Sequence, residues 1–417
     1  MAALGSDAPF HARAPYTAIA TARQLDGIRK VFMNSKERHE ARYRRRAAAR
    51  AAKKAAALAT ADDFEAVFTY RNMHDAYRKS RHGVGWKASV QKYSHLAPLN
   101  ICITQKRLMQ GTYRSPGFHE FDLHERGKAR HIRSPTINER VVQRCLCDNS
   151  LIPALTRTFI FDNGASLKDK GYDFAADRLE RHLHEHYRQH GQEGYILLFD
   201  FSKFFDNVSH ELVKKIVREE LTDRRIIALT DHFIDMFGAR GLGLGSQISQ
   251  VLALTSANRL DHYIKEVLHI RGYGRYMDDG YLIHKDKRYL QRCLVRIRAV
   301  CNMLGITLNE KKTQIRKLSN FVWLKMRVSL LPSGRVLKRI CKKSITRARR
   351  KLKSMFKLYS QGEIMLIDIH NSVQSFYAYA DRFSAWHTKQ SIRALYDKLL
   401  EEAEKCITLK SQTAAAS

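Results

Sequence analysis

The chain has 417 residues, of which 44% are hydrophobic, an ordinary share for a folded protein with a sizeable core. Lysine and arginine number 74 against 41 acidic residues, a net charge of +33, and an excess that large points to a polyanionic partner, nucleic acid ahead of an anionic membrane surface. No apolar run approaches the ~18 residues of a membrane span, the N-terminus lacks the pattern of a secretory signal, and seven scattered cysteines with no C-x-x-C pair fit a reducing, cytoplasmic setting rather than a zinc knuckle.

Residues 1–60 stand apart. RYRRRAAARAAKKAAALA combines high helix propensity with dense positive charge, which suits a solvated arm or a nucleic-acid-binding helix. Residues 61–150 mix helical patterns with glycine and proline breaks. Within them FHEFDLHERGKARHIRSP alternates and turns at Gly127, which predicts a hairpin. From 138 to 190 the pattern is mostly helical, with a break at DNGAS. Residues 191–337 open on an apolar run, Tyr195 to Phe199, which predicts a buried strand ending at or near Asp200. Ser209 is then a plausible N-cap. Residues 241–268 begin with glycines and continue as a helix. Residues 272–285 predict a hairpin around Asp278 and Asp279, 288–304 a helix, and 320–337 a hairpin turning at Pro332-Ser333-Gly334. Residues 338–406 are helical and basic at first, and 407–417 are expected to be disordered.

Three carboxylates carry the chemical expectation. Asp278 and Asp279 would stand at a hairpin tip, where adjacent charges raise each other's pKa unless a cation neutralises them. Should Asp200 lie beside them, the three could hold two hard divalent ions ~3.5–4 Å apart. Phosphoryl transfer needs that kind of positioning and charge stabilisation.

FDFSKFFD, GLGLGSQISQ and RYMDDGYL, in that order, resemble motifs A, B and C of reverse transcriptases, bacterial ones in particular. GKARHIRSPTINERVVQ resembles the finger hairpin of that family, LGITLNEKKT its motif D, and FVWLKMRVSLLPSGRVLK its motif E. The resemblance spans roughly residues 75–340 and implies an α+β right-hand polymerase. Fingers with N-terminal palm elements would occupy 61–190, the palm 191–337 and a helical thumb 338–406. It implies metal positions at Asp200, Phe201, Asp278 and Asp279 for two Mg²⁺ ions, with Mn²⁺ as an alternative. Phe205 matches the bulky residue that excludes a ribose 2′-hydroxyl. Gly245, with Ser249 and Gln250, matches the loop and helix start beneath the incoming nucleotide. Lys128 and Arg130 match the residues that clasp the triphosphate, and Lys312, with Lys311 as rival, the lysine that protonates pyrophosphate.

Two positions depart from the family pattern: Trp323 stands where many relatives carry glycine, and Gln250 where many carry proline. The expected partners are an RNA template, in the defence setting a dedicated noncoding RNA, a DNA primer or product, and dNTPs. No membrane partner is expected, and oligomeric state is open. The favoured setting is a stand-alone enzyme of antiphage defence. A diversity-generating or group II intron-like enzyme is the alternative, and a non-catalytic RNA-binding protein on the same fold is a further one.

Overall fold

The computed structural model describes residues 35–415 apart from Arg126; the side chains of Glu125, Lys128 and 409–415 lie outside the described ones. The chain divides into two compact units, one ending at Thr60 and one starting at Ala61. The described part of the first is a single helix, Ser35–Leu58, of alanines and charged residues. An i,i+4 pair, Arg44 with Glu40 at 2.6 Å, lies along it.

The second unit opens with short helices, Phe64–Val67, Tyr70–Arg81, Ala88–His95 and Ala97–Met109. Asp63 and Thr69 cap the first two through their side chains. A two-stranded hairpin follows, β1 (Phe118–Glu125) antiparallel to β2 (Lys128–Pro135), turning where Gly127 was expected to turn it. Helix Ile137–Leu146 runs on through short helical turns as far as Thr158, and an irregular stretch that contains DNGAS then leads to the helix Tyr172–His190.

The central sheet is antiparallel and four-stranded: β4 (Tyr273–Tyr276), β5 (Asp279–His284), β3 (Tyr195–Asp200) and β6 (Gln314–Lys317), in that spatial order. A second sheet pairs β7 (Phe321–Trp323), β8 (Met326–Leu330) and β9 (Val336–Ile340). One core joins them. Leu179 and Leu183 of the Tyr172–His190 helix pack with Ile196, Leu198, Tyr281 and Ile283 of the central sheet, and with Phe321, Trp323, Met326 and Val328 of the second. Helix Lys287–Met303 lies against β3 and β5. Helices Lys342–Ser360, Leu366–Ala380 and Trp386–Ala415 close the chain around Leu352, Phe356, Ile369 and Ile392. An antiparallel sheet on helices, an outlying hairpin and a helical end make the α+β right-hand arrangement expected.

Several expectations need correction. β9 runs to Ile340, so Lys338 and Arg339 are strand residues and the basic helix starts at Lys342. The 320–337 region forms three strands with part of 338–340. Its unforeseen turn uses Leu324 and Lys325, at φ +44° and +62°, without a glycine to announce it. The helix over 241–268 is broken into Gln247–Ser256, Asn258–His262 and a wider turn Tyr263–Val267. The terminal helix continues to Ala415 through the stretch expected to be disordered, since nothing from Thr408 to Ala415 breaks a helix.

Trp323, the departure from the family pattern, is 4% exposed and meets Tyr281 edge-on at 4.7 Å. A large ring here fills the joint between the two sheets.

Candidate active site

β3 lies between β5 and β6, and its register puts Asp200 directly opposite Asp279. Asp278 occupies the turn between β4 and β5 together with Met277, an L-residue held left-handed at φ +54°, a conformation that costs about 1–2 kcal/mol. The Phe201 amide donates to the Asp278 carbonyl at 3.2 Å, tying the end of β3 to that turn. The residue after the pair must be glycine: a Cβ on Gly280 would lie 2.2 Å from Phe199 Cζ, whose ring covers it. As a result, one carboxylate oxygen each from Asp200, Asp278 and Asp279 falls within 4.8 Å of the other two.

Three acidic groups this close, and shielded from water, resist ionising together. Burial, then the neighbouring charge of Asp200, raises Asp278 above the usual carboxylate range. Burial, then Asp278 and Asp200, pushes Asp279 up to about 7. Asp200 is the best compensated. Lys312 Nζ donates to its Oδ1 at 2.7 Å, Asn309 Nδ2 donates to its Oδ2 at 3.2 Å, and the Asn309 amide donates to its carbonyl at 2.7 Å. Partial burial lowers the Lys312 pKa, but the hydrogen bond and charge of Asp200 outweigh it and the net shift is upward. The oxygen-only donor set, the mutual repulsion and an ammonium already drawn onto one carboxylate all fit a hard divalent cation.

Of the two lysines left open by sequence, both exposed, it is Lys312 that reaches the triad, through its bond to Asp200. Asn309 went unrecognised as a site residue. Its only signal was its place three residues before Lys312, in one turn whose Lys312 amide bonds the Asn309 carbonyl at 3.1 Å.

Phe205 is half-buried on the short helix Phe204–Asn207, just past β3. Its carbonyl accepts from the Leu242 amide at 2.8 Å, so the glycine-rich loop runs alongside it. Phe201 is buried, its ring between Phe199 and Phe204. Gly245, at φ +111°, makes its close approach to protein rather than to open space. A Cβ there would lie 3.1 Å from the Arg133 carbonyl, and the Arg133 amide donates to the neighbouring Leu244 carbonyl at 3.0 Å. The loop is therefore docked on β2 of the hairpin. Gln250 is exposed, and its Oε1 accepts from Ser166 Oγ at 3.4 Å; the same hydroxyl lies 3.9 Å from Met277 Sδ. Ser166 belongs to the DNGAS break, and sequence reading gave it no role. Ser249 is fully buried with no partner for its hydroxyl among the described residues. Arg130 is exposed on β2 opposite Leu123, and no hydrogen bond or ion pair joins it to the triad among the described residues. The Lys128 side chain lies outside the described ones.

A family model described as reverse transcriptase (RNA-dependent DNA polymerase) matches residues 104–358. Among solved structures, an apo telomerase from Candida tropicalis, truncated of its C-terminal domain, is similar at 15% identity and a TM-score of 0.40, over 53% of this chain and 54% of that one. A telomerase from Candida albicans in complex with a TWJ fragment of telomeric RNA is similar at 11% identity and a TM-score of 0.42, over 69% of this chain and 55% of that one. The chain thus spans about half the length of these two structures. No curated protein matches it. The family match runs from the helix before the hairpin, through all three aspartates, to the first basic helix at the C-terminal end, and the chain belongs to the reverse transcriptases, the RNA-dependent DNA polymerases.

Proposed function

We propose that this protein copies an RNA template into DNA, joining dNTPs to a primer 3′-hydroxyl at Asp200, Asp278 and Asp279. The observation that carries this reading is the convergence of the three carboxylates within 4.8 Å at the end of the central sheet. Divalent ions held there, Mg²⁺ in the first instance with Mn²⁺ as an alternative, would acidify the primer hydroxyl and neutralise the triphosphate.

The chain's own groups supply the rest. The 3′-hydroxyl would lose its proton to water, its oxygen would bond to the α-phosphorus, and the bond from that phosphorus to the bridging oxygen would break, releasing pyrophosphate. Lys312 is kept protonated by its contact with Asp200 and can shift to the leaving pyrophosphate as its proton donor. Lys128 and Arg130 on the hairpin would clasp the triphosphate, Arg130 through its fixed fork of donors. Phe205 would exclude a 2′-hydroxyl by bulk, and Gly245 and Gln250 would floor the nucleotide site. Lys342, Lys343, Arg347, Arg350, Lys351, Lys353 and Lys357 line the exposed side of the helix Lys342–Ser360, while Leu352 and Phe356 are buried. That division suits a thumb gripping duplex phosphates.

The setting we infer is antiphage defence with a noncoding RNA in a bacterial cytoplasm. The Ser249-Gln250 pair also suits a diversity-generating element. The intact triad weighs against a purely RNA-binding role. The test is extension of a labelled primer on an RNA template with dNTPs and Mg²⁺ or Mn²⁺. Product whose sequence complements the template is expected. Template binding with no extension above a protein-free control, under either metal, would overturn the reading in favour of the non-catalytic one.

A further inference from the structure

We propose that the fully buried Arg275–Asp261 pair is a positioning device for Asp278 and Asp279: Arg275 holds the carbonyl of Met277, and with it the left-handed turn that presents the two carboxylates. The proposal rests on the polymerase reading for its effect on turnover.

Arg275 lies on β4 opposite Gly280 and is 1% exposed; Asp261, on the helix Asn258–His262, is 0% exposed. The guanidinium makes a two-pronged contact with the carboxylate, Nε to Oδ1 at 2.8 Å and Nη2 to Oδ2 at 2.6 Å. Tyr273 Oη donates to the same Oδ1 at 2.5 Å. The remaining nitrogen, Nη1, donates to the Met277 carbonyl at 2.7 Å. One rigid, planar group therefore spans the distance from a core helix to the turn.

Stability alone does not explain such a pair. Two buried charges repay their desolvation only with excellent geometry, and an apolar pair of similar volume often serves a fold as well. What an apolar pair cannot supply is a third donor aimed at the turn. The turn needs one, because Met277 is held in a conformation that L-residues avoid and that persists only when its surroundings enforce it. Arg275 fixes the Met277 carbonyl from below, and the Phe201 amide fixes the next one, that of Asp278, from the side of Asp200. The backbone of Arg275 is itself pinned: its amide donates to the Asp162 carbonyl at 3.1 Å and its carbonyl accepts from the Gly164 amide at 2.9 Å. The DNGAS break is thereby part of the support.

The test compares wild type with the triple variant Asp261→Leu/Tyr273→Phe/Arg275→Met, which removes both charges and the orphaned hydroxyl together, and with Arg275→Lys, which keeps the charge but cannot span both partners. Four quantities are read on the full chain: the unfolding transition, template–primer binding, Mn²⁺ affinity by titration of the free-ion EPR signal, and kcat and KM for a dNTP. Misplacing reacting groups by an ångström costs on the order of 100-fold. The triple variant is expected to unfold cooperatively and bind template–primer as wild type does. Its Mn²⁺ affinity should fall about 10-fold and its kcat about 10- to 100-fold, with KM nearly unchanged. Arg275→Lys should show the same kcat-selective loss, and it decides the matter alone if the triple variant fails to fold. Folded variants with wild-type Mn²⁺ affinity and wild-type kcat would overturn the proposal. If wild type itself extends no primer, the polymerase reading fails, and the Mn²⁺ titration still tells whether the pair positions the carboxylates.

Discussion

Asp279 carries an ionisation penalty that a cation should relieve, and its pH dependence has a definite sign. Its pKa in the fold, pushed up to about 7, exceeds its value in an unfolded chain, as does that of Asp278. Without divalent ions the folded state then binds the extra protons, so their contribution to stability is full in acid and is lost as pH rises through about 7. A bound cation displaces those protons. The rise in Tm on adding Mg²⁺ should therefore be larger near pH 8 than near pH 6; an equal rise at both would contradict the shared-site reading. Phe205→Ala should bring rNTP incorporation within about tenfold of dNTP incorporation, the loss of roughly 1–3 kcal/mol of steric discrimination; unchanged discrimination would remove Phe205 from that role. The three aspartates were legible in the sequence because the apolar run before Asp200 and the paired acids at a hairpin tip announce strand ends. Asn309 and Arg275 were not, because their partners lie across the fold and polar residues in ordinary strands and turns carry no local signal.

Elements were read best where period and punctuation agree. The alternation on either side of Gly127 gave β1 and β2, the apolar run gave β3, and Ser209 caps the helix His210–Glu220 through a 3.3 Å bond to the Leu212 amide. β9 hides behind the charge run: Lys338 and Arg339 pattern with the basic helix that follows, yet they are the partly solvated middle of a strand whose ends, Val336 and Ile340, are buried. The Leu324–Lys325 turn lacks the glycine that marks such geometry, so nothing local separated β7 from β8. Gly245 shows a right position with a different reason: it lets the loop dock on the hairpin. Gly245→Ala adds both strain at φ +111° and a 3.1 Å contact with the Arg133 carbonyl. It should destabilise by about 1–3 kcal/mol, read as a lowered urea midpoint, with proteolysis beginning in the hairpin. A midpoint equal to wild type would mean that the loop and hairpin are not coupled.

At the scale of the whole molecule the charge surplus finds a physical outlet. A net charge of +33 repels itself, and the exposed lysines and arginines of the helix Lys342–Ser360 concentrate part of it on one surface. RNA binding should weaken steeply with salt. Replacing Lys342, Arg350 and Lys353 together by alanine should reduce the slope of log K against log salt by about 2–3, since each phosphate contact contributes roughly 0.7–0.9. An unchanged slope would move the nucleic-acid face elsewhere.

The three carboxylates act as one unit if the chemistry belongs to them, so the most direct measurement is the rate of single-nucleotide incorporation by Asp200→Asn, Asp278→Asn, Asp279→Asn and the triple variant, each checked for fold and template binding. Every single substitution is expected to lower the rate by about 10³-fold or more, and the triple variant to fall no further than the worst single one, because residues that work together are not additive. A folded, template-bound single variant that keeps a rate near that of wild type would contradict a shared centre at the end of the central sheet.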